Sequence, residues 1–206
     1  MNRLLERYFV KPRTVFAIEA VPYDKDTTIC RGFHILGPSE LEAKVPPSVQ
    51  AFLERRATPK SLNQRLLSKN CCAFIAITES ADLPIGVVWA LAPQDTTTWH
   101  DSIPVRPGEA LGFGAYVTPQ FRRRGLFLAM LYERDRYLLN DLGVNRVLRV
   151  VENSNVPSYN GLVKYGARRI ADNLLVKLMG RNILSIFRHD NRLEIYALVG
   201  NRRARL

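Results

Sequence analysis

Phe113-Gly-Ala-Tyr-Val-Thr-Pro-Gln-Phe-Arg-Arg-Arg-Gly-Leu-Phe127 is the stretch from which the rest of the chain is read. Its first five residues are apolar or small and read as a buried strand, which Thr118-Pro119 stops. Three consecutive arginines and Gly125 then lead into an amphipathic stretch over residues 126–142. The order is strand, basic glycine turn, helix. The first backbone N–H groups of a helix have no intrahelical partner, and the helix dipole adds partial positive charge there. A glycine lets a phosphate approach such a turn without meeting a Cβ. The stretch therefore reads as an anion cradle or as an ordinary strand–helix junction with solvated arginines.

A second buried strand follows at Arg146-Val147-Leu148-Arg149-Val150-Val151, then Glu152-Asn153-Ser154-Asn155-Val156-Pro157-Ser158-Tyr159 and a short helix closed by Gly166. With both segments in view the sequence resembles the GNAT superfamily of acyl-CoA-dependent N-acyltransferases. Arg122-Arg123-Arg124-Gly125-Leu126-Phe127 is similar to the family's pyrophosphate loop, (Gln or Arg)-x-x-Gly-x-(Gly or Ala), with Phe127 in place of the small last residue. Asn155-x-x-Ser158, running on to Gly166-Ala167, is similar to the second motif, Asn-x-x-(Ala or Ser) to Gly-Phe, without its final aromatic. The match covers residues 110–170. It implies a mixed α/β fold: a mostly antiparallel sheet with a central, splayed parallel strand pair, flanked by helices. It also implies acetyl-CoA as acyl donor. Coenzyme A would be held by Ala115, Tyr116 and Val117 of a bulged strand, by Arg122, Arg123, Arg124, Gly125, Leu126, Phe127 and Leu128 of the loop, and by Asn155.

The chain has 206 residues, 47% of them apolar, which suits a single domain over residues 1–206 with its own core. No apolar run reaches the roughly 18 residues that suggest a transmembrane helix, and Met1-Asn-Arg-Leu-Leu-Glu-Arg-Tyr8 lacks the features of a signal peptide. Cys30, Cys71 and Cys72 form neither a zinc spacing nor a disulfide framework. The cytoplasm is the expected compartment, with no metal. Net charge is +11, and residues 164–206 hold ten Lys or Arg against three Asp or Glu, so this tail carries +7. Such charge calls for an anionic partner: coenzyme A phosphates, an acidic acyl carrier protein, an anionic membrane surface or nucleic acid. No DNA- or RNA-binding signature accompanies it, which makes nucleic acid the weaker choice. Charge kept only for solubility is the alternative. A dimer is compatible with the sequence.

Along the chain, residues 14–21 and 28–36 read as strands that form a hairpin across Asp24-Lys25-Asp26. Gly37-Pro38-Ser39-Glu40 opens a helix with Ser39 as N-cap, Pro46-Pro47 breaks it, a second helix runs from Ser48 to Arg56, and a third from Thr58 to Ser68. Cys71–Thr78 and Ile85–Leu91 read as an antiparallel pair, because the polar turn between them is too short for a parallel crossover. Residues 93–109, with Trp99 and His100, lack periodicity and read as a long loop. Gly112 and Gly114 fall on one face of the central strand at 110–117 and suggest a bulge or a close approach. Leu128, Leu131, Leu138 and Leu142 give the following helix one face for the sheet, with Glu133-Arg134-Asp135-Arg136 grouped between them. Two or three more strands follow Gly166.

Acyl transfer from a thioester needs a neutral amine, a polarised carbonyl and a stabilised or protonated thiolate. Glu109, at the start of the central strand, and Glu152, at the end of the next, are the candidate bases, with solvated carboxylates as the alternative. The family's usual acid, a tyrosine seven residues after the motif asparagine, is replaced by Leu162. Tyr159 is the nearby substitute, and Tyr165 is expected to pack. No competing set of His, Cys or Ser residues occurs. Three readings result: an acetyl-CoA-dependent N-acetyltransferase acting on a primary amine, with an amino sugar suggested by similarity to GNAT proteins of polysaccharide biosynthesis; an acyltransferase taking a longer chain from acyl-CoA or an acyl carrier protein; and a weakly catalytic coenzyme A-binding module.

Overall fold

The computed structural model describes residues 8–21, 32–43, 45–55, 70–178, 181–190, 192–199 and 202–205. In chain order the elements are β1 (Tyr8–Ile18), β2 (Phe33–Leu36), α1 (Pro38–Ala43), α2 (Pro47–Glu54), β3 (Cys71–Thr78), β4 (Pro84–Leu91), β5 (Thr98–His100), β6 (Ile103–Val105) and β7 (Glu109–Val117). There follow α3 (Leu126–Arg136), β8 (Arg146–Glu152), α4 (Val156–Lys164), β9 (Arg168–Leu178), β10 (Arg181–His189), β11 (Arg192–Val199) and β12 (Arg202–Arg205). They fall into two compact units, one drawn from residues 19–95 and 107–147, the other from 1–18, 96–106 and 148–206. The expected helix from Thr58 to Ser68 lies outside the described residues, as does the Asp24-Lys25-Asp26 turn. No described helix is long and apolar enough to cross a membrane.

The unit that contains the basic turn is built on β2, β3, β4 and β7, each antiparallel to the next. β3 and β4 are apolar throughout because helices cover both of their faces. Alternate side chains take opposite faces. Val49, Phe52 and Leu53 of α2 pack on Ala73, Ile75, Ile77, Val87 and Trp89. On the other face α3 brings Met130 against Gly86, whose missing side chain would stand 2.8 Å from the methionine methyl. Just past α3, Tyr137 meets Phe74 edge-on, ring centroids 5.7 Å apart. Ser39 is not an N-cap: α1 begins at Pro38, and the Gly37 N–H donates to Glu40 Oε2 at 2.7 Å, so a carboxylate inside the helix satisfies the preceding amide.

The helix expected over residues 126–142 is α-helical to Arg136 and then widens into a π-type turn, Tyr137–Asp141, before Gly143. Its charged quartet divides. Glu133 and Arg136 pair at 3.1 Å toward solvent, whereas Arg134 and Asp135 are 1% and 0% exposed and pair with each other at 3.1 Å. Arg134 reaches the sheet, where Nη1 donates to the Trp89 carbonyl at 3.4 Å. It lies flat on β7: a Cβ at Gly112 would stand 2.5 to 2.8 Å from three guanidinium atoms. Gly112 is thus the close approach that the glycine in the strand suggested.

The start of β8 belongs to this unit and lies beside the start of β7. Arg146 Nε donates to Glu109 Oε1 at 2.8 Å, and the Asn145 N–H donates to the Gly108 carbonyl at 2.8 Å. With their starts together the two strands run the same way, the parallel pair in a mostly antiparallel sheet.

In the other unit the strand order is β12-β11-β10-β9-β1-β8. β1 pairs antiparallel with β9, and β9 through β12 form an antiparallel meander. The expected β1–β2 hairpin does not form, because β1 pairs with β9 while β2 pairs with β3. Neither partner is adjacent in sequence to its strand, so local turn signals could not identify the pairing.

The segment expected as a long loop contains a tight hairpin, β5 with β6, turning through Asp101 (φ 45°) and Ser102 (φ 66°). Two central residues with positive φ mark the type I′ turn. Asp-Ser lacks the glycine that usually signals this turn, and three-residue strands are too short to show a period. The hairpin is bonded onto one face of the unit's sheet. Arg13, 2% exposed, donates from Nε to Asn173 Oδ1 at 2.7 Å and from Nη1 to Asp101 Oδ2 at 2.9 Å. Asn173 donates to Ser185 Oγ, which donates to the Ser102 carbonyl at 3.0 Å. Burial pushes the Arg13 guanidinium below its ordinary pKa, and the neighbouring Asp101 and Glu152 carboxylates oppose the shift. Trp99 packs edge-on to Tyr196 with centroids 5.0 Å apart.

Candidate functional site

β7 carries its irregularity where the glycines fall. Val87 stands opposite Tyr116 and Trp89 opposite Phe113, so Gly114 and Ala115 share the space facing Val88 alone. This is a β-bulge, and Gly114 takes φ 59° within it. Because the bulge shifts the side-chain alternation, Gly112 and Gly114 play different parts: one makes room for Arg134, the other bends the strand. Gly114 and Ala115 are exposed, while Tyr116 and Val117 are half-buried.

After β7 the Thr118 N–H donates to the Ile85 carbonyl at 2.8 Å, and Pro119–Phe121 form one 3₁₀ turn. The basic loop follows, and its backbone is unusual. Arg123 has φ 62° and Gly125 φ 78°, both left-handed, on either side of Arg124. Arginine at positive φ is uncommon and costs about 1–2 kcal/mol relative to a right-handed conformation. Gly125 is the N-cap of α3. Among the described residues, no side chain caps the first amides of α3. Leu126 is buried and anchors the helix start, with Phe127 and Leu128 half-buried beside it.

The three arginines are exposed, and two of them lean on the loop's own aromatics. Arg122 Nε donates to the Val117 carbonyl at 3.0 Å, and its guanidinium lies 6.0 Å from the Tyr116 ring centroid. Arg124 lies 5.5 Å from the centroid of Phe121. Both contacts stiffen the loop while leaving its positive charge in place. Phe121 was not among the sequence candidates. An aromatic ring next to three arginines in the sequence was the signal for it.

Glu109, at the far end of β7 from the loop, is 5% exposed and holds the Arg146 guanidinium. Its observed work is to clamp the starts of β7 and β8. In the other unit, Glu152 at the end of β8 is exposed and ion-paired to Lys11. The turn after it is fixed to β1: the Asn153 N–H donates to the Pro12 carbonyl at 3.0 Å, and Thr14 Oγ1 donates to Asn153 Oδ1 at 2.9 Å. Asn155 caps α4, its Oδ1 accepting from the Ser158 N–H at 3.3 Å. Tyr159, in the first turn of α4, packs edge-on against Phe16 with centroids 5.2 Å apart. Leu162 is 2% exposed, so the position at which the family's tyrosine would stand belongs to the core here. Tyr165 is buried beneath the Arg149 guanidinium at 5.6 Å from its centroid, the packing role expected for it.

A bulged strand thus leads into a helix start preceded by three exposed arginines. Several solved structures resemble the chain over most of its length, among them these three. A GCN5-related N-acetyltransferase from Sphaerobacter thermophilus superposes with a TM-score of 0.56 at 18% identity, covering 88% of this chain and 56% of that one. A functionally unknown conserved protein from Staphylococcus epidermidis gives 0.54 at 14% identity, covering 86% and 68%. A tandem GNAT protein from the clavulanic acid biosynthesis pathway gives 0.52 at 12% identity, covering 84% and 55%. The chain therefore spans little more than half the length of the Sphaerobacter and tandem GNAT structures. No protein-family model matches the sequence, and no curated protein matches it. The fold is that of the GNAT acyltransferases.

Proposed function

We propose that the chain is an acyl-CoA-dependent N-acyltransferase that moves an acetyl group from acetyl-CoA to a primary amine, an amino sugar being the suggested acceptor. The observation that carries the reading is the start of α3: an uncapped helix N-terminus, preceded by Arg123 and Gly125 at positive φ and by three exposed arginines. Successive amides in alternating backbone conformations form a concavity for an anion, and the helix dipole adds to it. A coenzyme A pyrophosphate fits such a loop in charge and in donor chemistry. Residues 122–128 would hold it. The bulge at Gly114 and Ala115 withdraws backbone groups of β7 from regular pairing with β4. Ala115, Tyr116 and Val117 would offer those groups to the amides of a pantetheine arm.

Acetyl-CoA supplies an activated acyl thioester. The protein must orient an amine against it and take up one proton. Of the two candidate bases Glu152, ion-paired to Lys11, is the more exposed, and Glu109 is buried against Arg146. The leaving thiol, with a pKa near 8.5, departs at neutral pH without obligatory help. Tyr159→Phe is therefore expected to lower turnover by less than about threefold, whereas loss of a true general acid costs typically 10²–10⁴-fold. A fall of a hundredfold with coenzyme A affinity unchanged would make Tyr159 the acid.

A donor panel tests the reading itself. Thiol release from acetyl-CoA, measured with a set of amines that includes amino sugars, is expected to exceed release from longer acyl-CoAs and from acyl carrier thioesters. Preference for a carrier thioester, with activity falling steeply as salt rises, would move the donor assignment to the acidic carrier protein. Binding of coenzyme A without transfer to any amine would leave a binding module.

A further inference from the structure

Phe113 and Tyr116, three residues apart, would point to opposite faces of a regular strand. The bulge in β7 removes that difference. Phe113 stands opposite Trp89 and Tyr116 opposite Val87, so two residues of β7 occupy the space of one in β4. Trp89 and Val87 share a face of β4, and Phe113 and Tyr116 both pack against that cluster, whose other wall includes Phe52 of α2. Between the two rings Gly114 and Ala115 are exposed. The backbone of β7 that the bulge frees is therefore flanked by two half-buried aromatic side chains.

Tyr116 is held from two sides. Its ring meets Phe52 edge-on, with centroids 6.2 Å apart and planes at 63°. The Arg122 guanidinium lies 6.0 Å from the same centroid, anchored by the Nε bond to the Val117 carbonyl. Phe52 is itself 3% exposed and packs with Val49 and Leu53 over Ile75, Val87 and Trp89. An interior packed to that degree does not admit an added methylene without strain. Tyr116 cannot swing aside without disturbing both α2 and the basic loop.

We propose, resting on the acyltransferase reading, that Tyr116, backed by Phe52, and Phe113 set the length of the acyl group that this chain accepts. An arm held at residues 122–128 and running back along β7 passes Val117 and Tyr116. It brings its thioester to the bulge, where Phe113 stands ahead of it. An acetyl group ends there. Further methylenes would have to enter the volume that the two rings fill. One methylene too many in an apolar pocket is worth roughly 10–200-fold in discrimination. That suffices to make acetyl-CoA the preferred donor without any polar recognition of the acyl group.

Titration calorimetry with coenzyme A, acetyl-CoA and hexanoyl-CoA needs no acceptor and reads the effect as a ratio of affinities. The wild type is expected to bind acetyl-CoA at least about thirtyfold more tightly than hexanoyl-CoA. Tyr116→Ala should narrow that ratio to about threefold or less. The ratio is the readout because losing the ring also releases Arg122, which weakens all three ligands alike. Phe52→Leu, a milder change, should narrow the ratio by about threefold and serves where Tyr116→Ala folds poorly. Phe74→Leu, on the opposite face of β3 against Tyr137, should leave the wild-type ratio in place. Equal affinities for the two thioesters in the wild type overturn the inference. So does a preference that survives both Tyr116→Ala and Phe52→Leu, or one that Phe74→Leu abolishes as well. A wild type that binds none of the three ligands removes the acyltransferase reading itself, whereas coenzyme A binding without acyl preference removes this inference alone.

Discussion

Gly125→Glu is expected to weaken coenzyme A binding by at least about a hundredfold, the largest functional effect of any single change in the loop. Two costs add. Gly125 sits at φ 78° and ψ −10°, where any side chain is disfavoured by about 1–2 kcal/mol. The new carboxylate then stands at the helix N-terminus, the position a pyrophosphate would occupy, and repels it. Titration calorimetry with coenzyme A, wild type against variant, measures the sum. Gly125→Asn separates the parts, since asparagine tolerates the left-handed region and brings no charge. It should lose about tenfold or less, by roughly the 1.4 kcal/mol that corresponds to a factor of ten. Equal affinity in wild type and Gly125→Glu would remove the phosphate-loop reading, and the acyltransferase proposal with it.

Arg134→Ala is expected to cost about 3–5 kcal/mol of folding stability, the usual result of removing one partner from a buried ion pair. Asp135 is fully buried 3.1 Å from the Arg134 Nε, and Arg134 also donates to the Trp89 carbonyl. Urea unfolding should show a lower midpoint with an unchanged slope. The same guanidinium explains Gly112, so the two positions should be coupled. Gly112→Ala pushes a methyl to within 2.8 Å of the buried guanidinium atoms. It should destabilise the wild type by about 1–3 kcal/mol through overpacking, yet cost much less in the Arg134→Ala background. Additive effects of the two substitutions would show that Gly112 is not there for the arginine.

Which parts of this molecule were legible beforehand follows from the range of the interactions that make them. The strand over residues 110–117, the basic turn, the helix start at Leu126 and the strand at 146–151 are local: apolar runs, a proline stop and a glycine act within a few residues. The antiparallel β3–β4 pair was equally readable, since a short turn leaves the two runs little choice. From these pieces the sequence by itself determined the strand–loop–helix unit and, through its motifs, the GNAT fold.

Tertiary structure alone decided the rest. Nothing local pairs β1 with β9, because the residues that meet, such as Arg13 and Asn173, are 160 apart in the chain. The β5–β6 turn uses Asp101 and Ser102 in conformations that the surrounding bonds from Arg13 and Ser185 hold in place. The charged quartet of α3 gave no sign that Arg134 and Asp135 would be buried, since that depends on Gly112 arriving beneath them from β7. The alternation of β9, β10 and β11 shows two faces but not which one the hairpin covers. Burial is a property of what lies opposite. For Asn173 it is Arg13 and Ser185 that make a polar side chain the inner one and leave Leu174 outside.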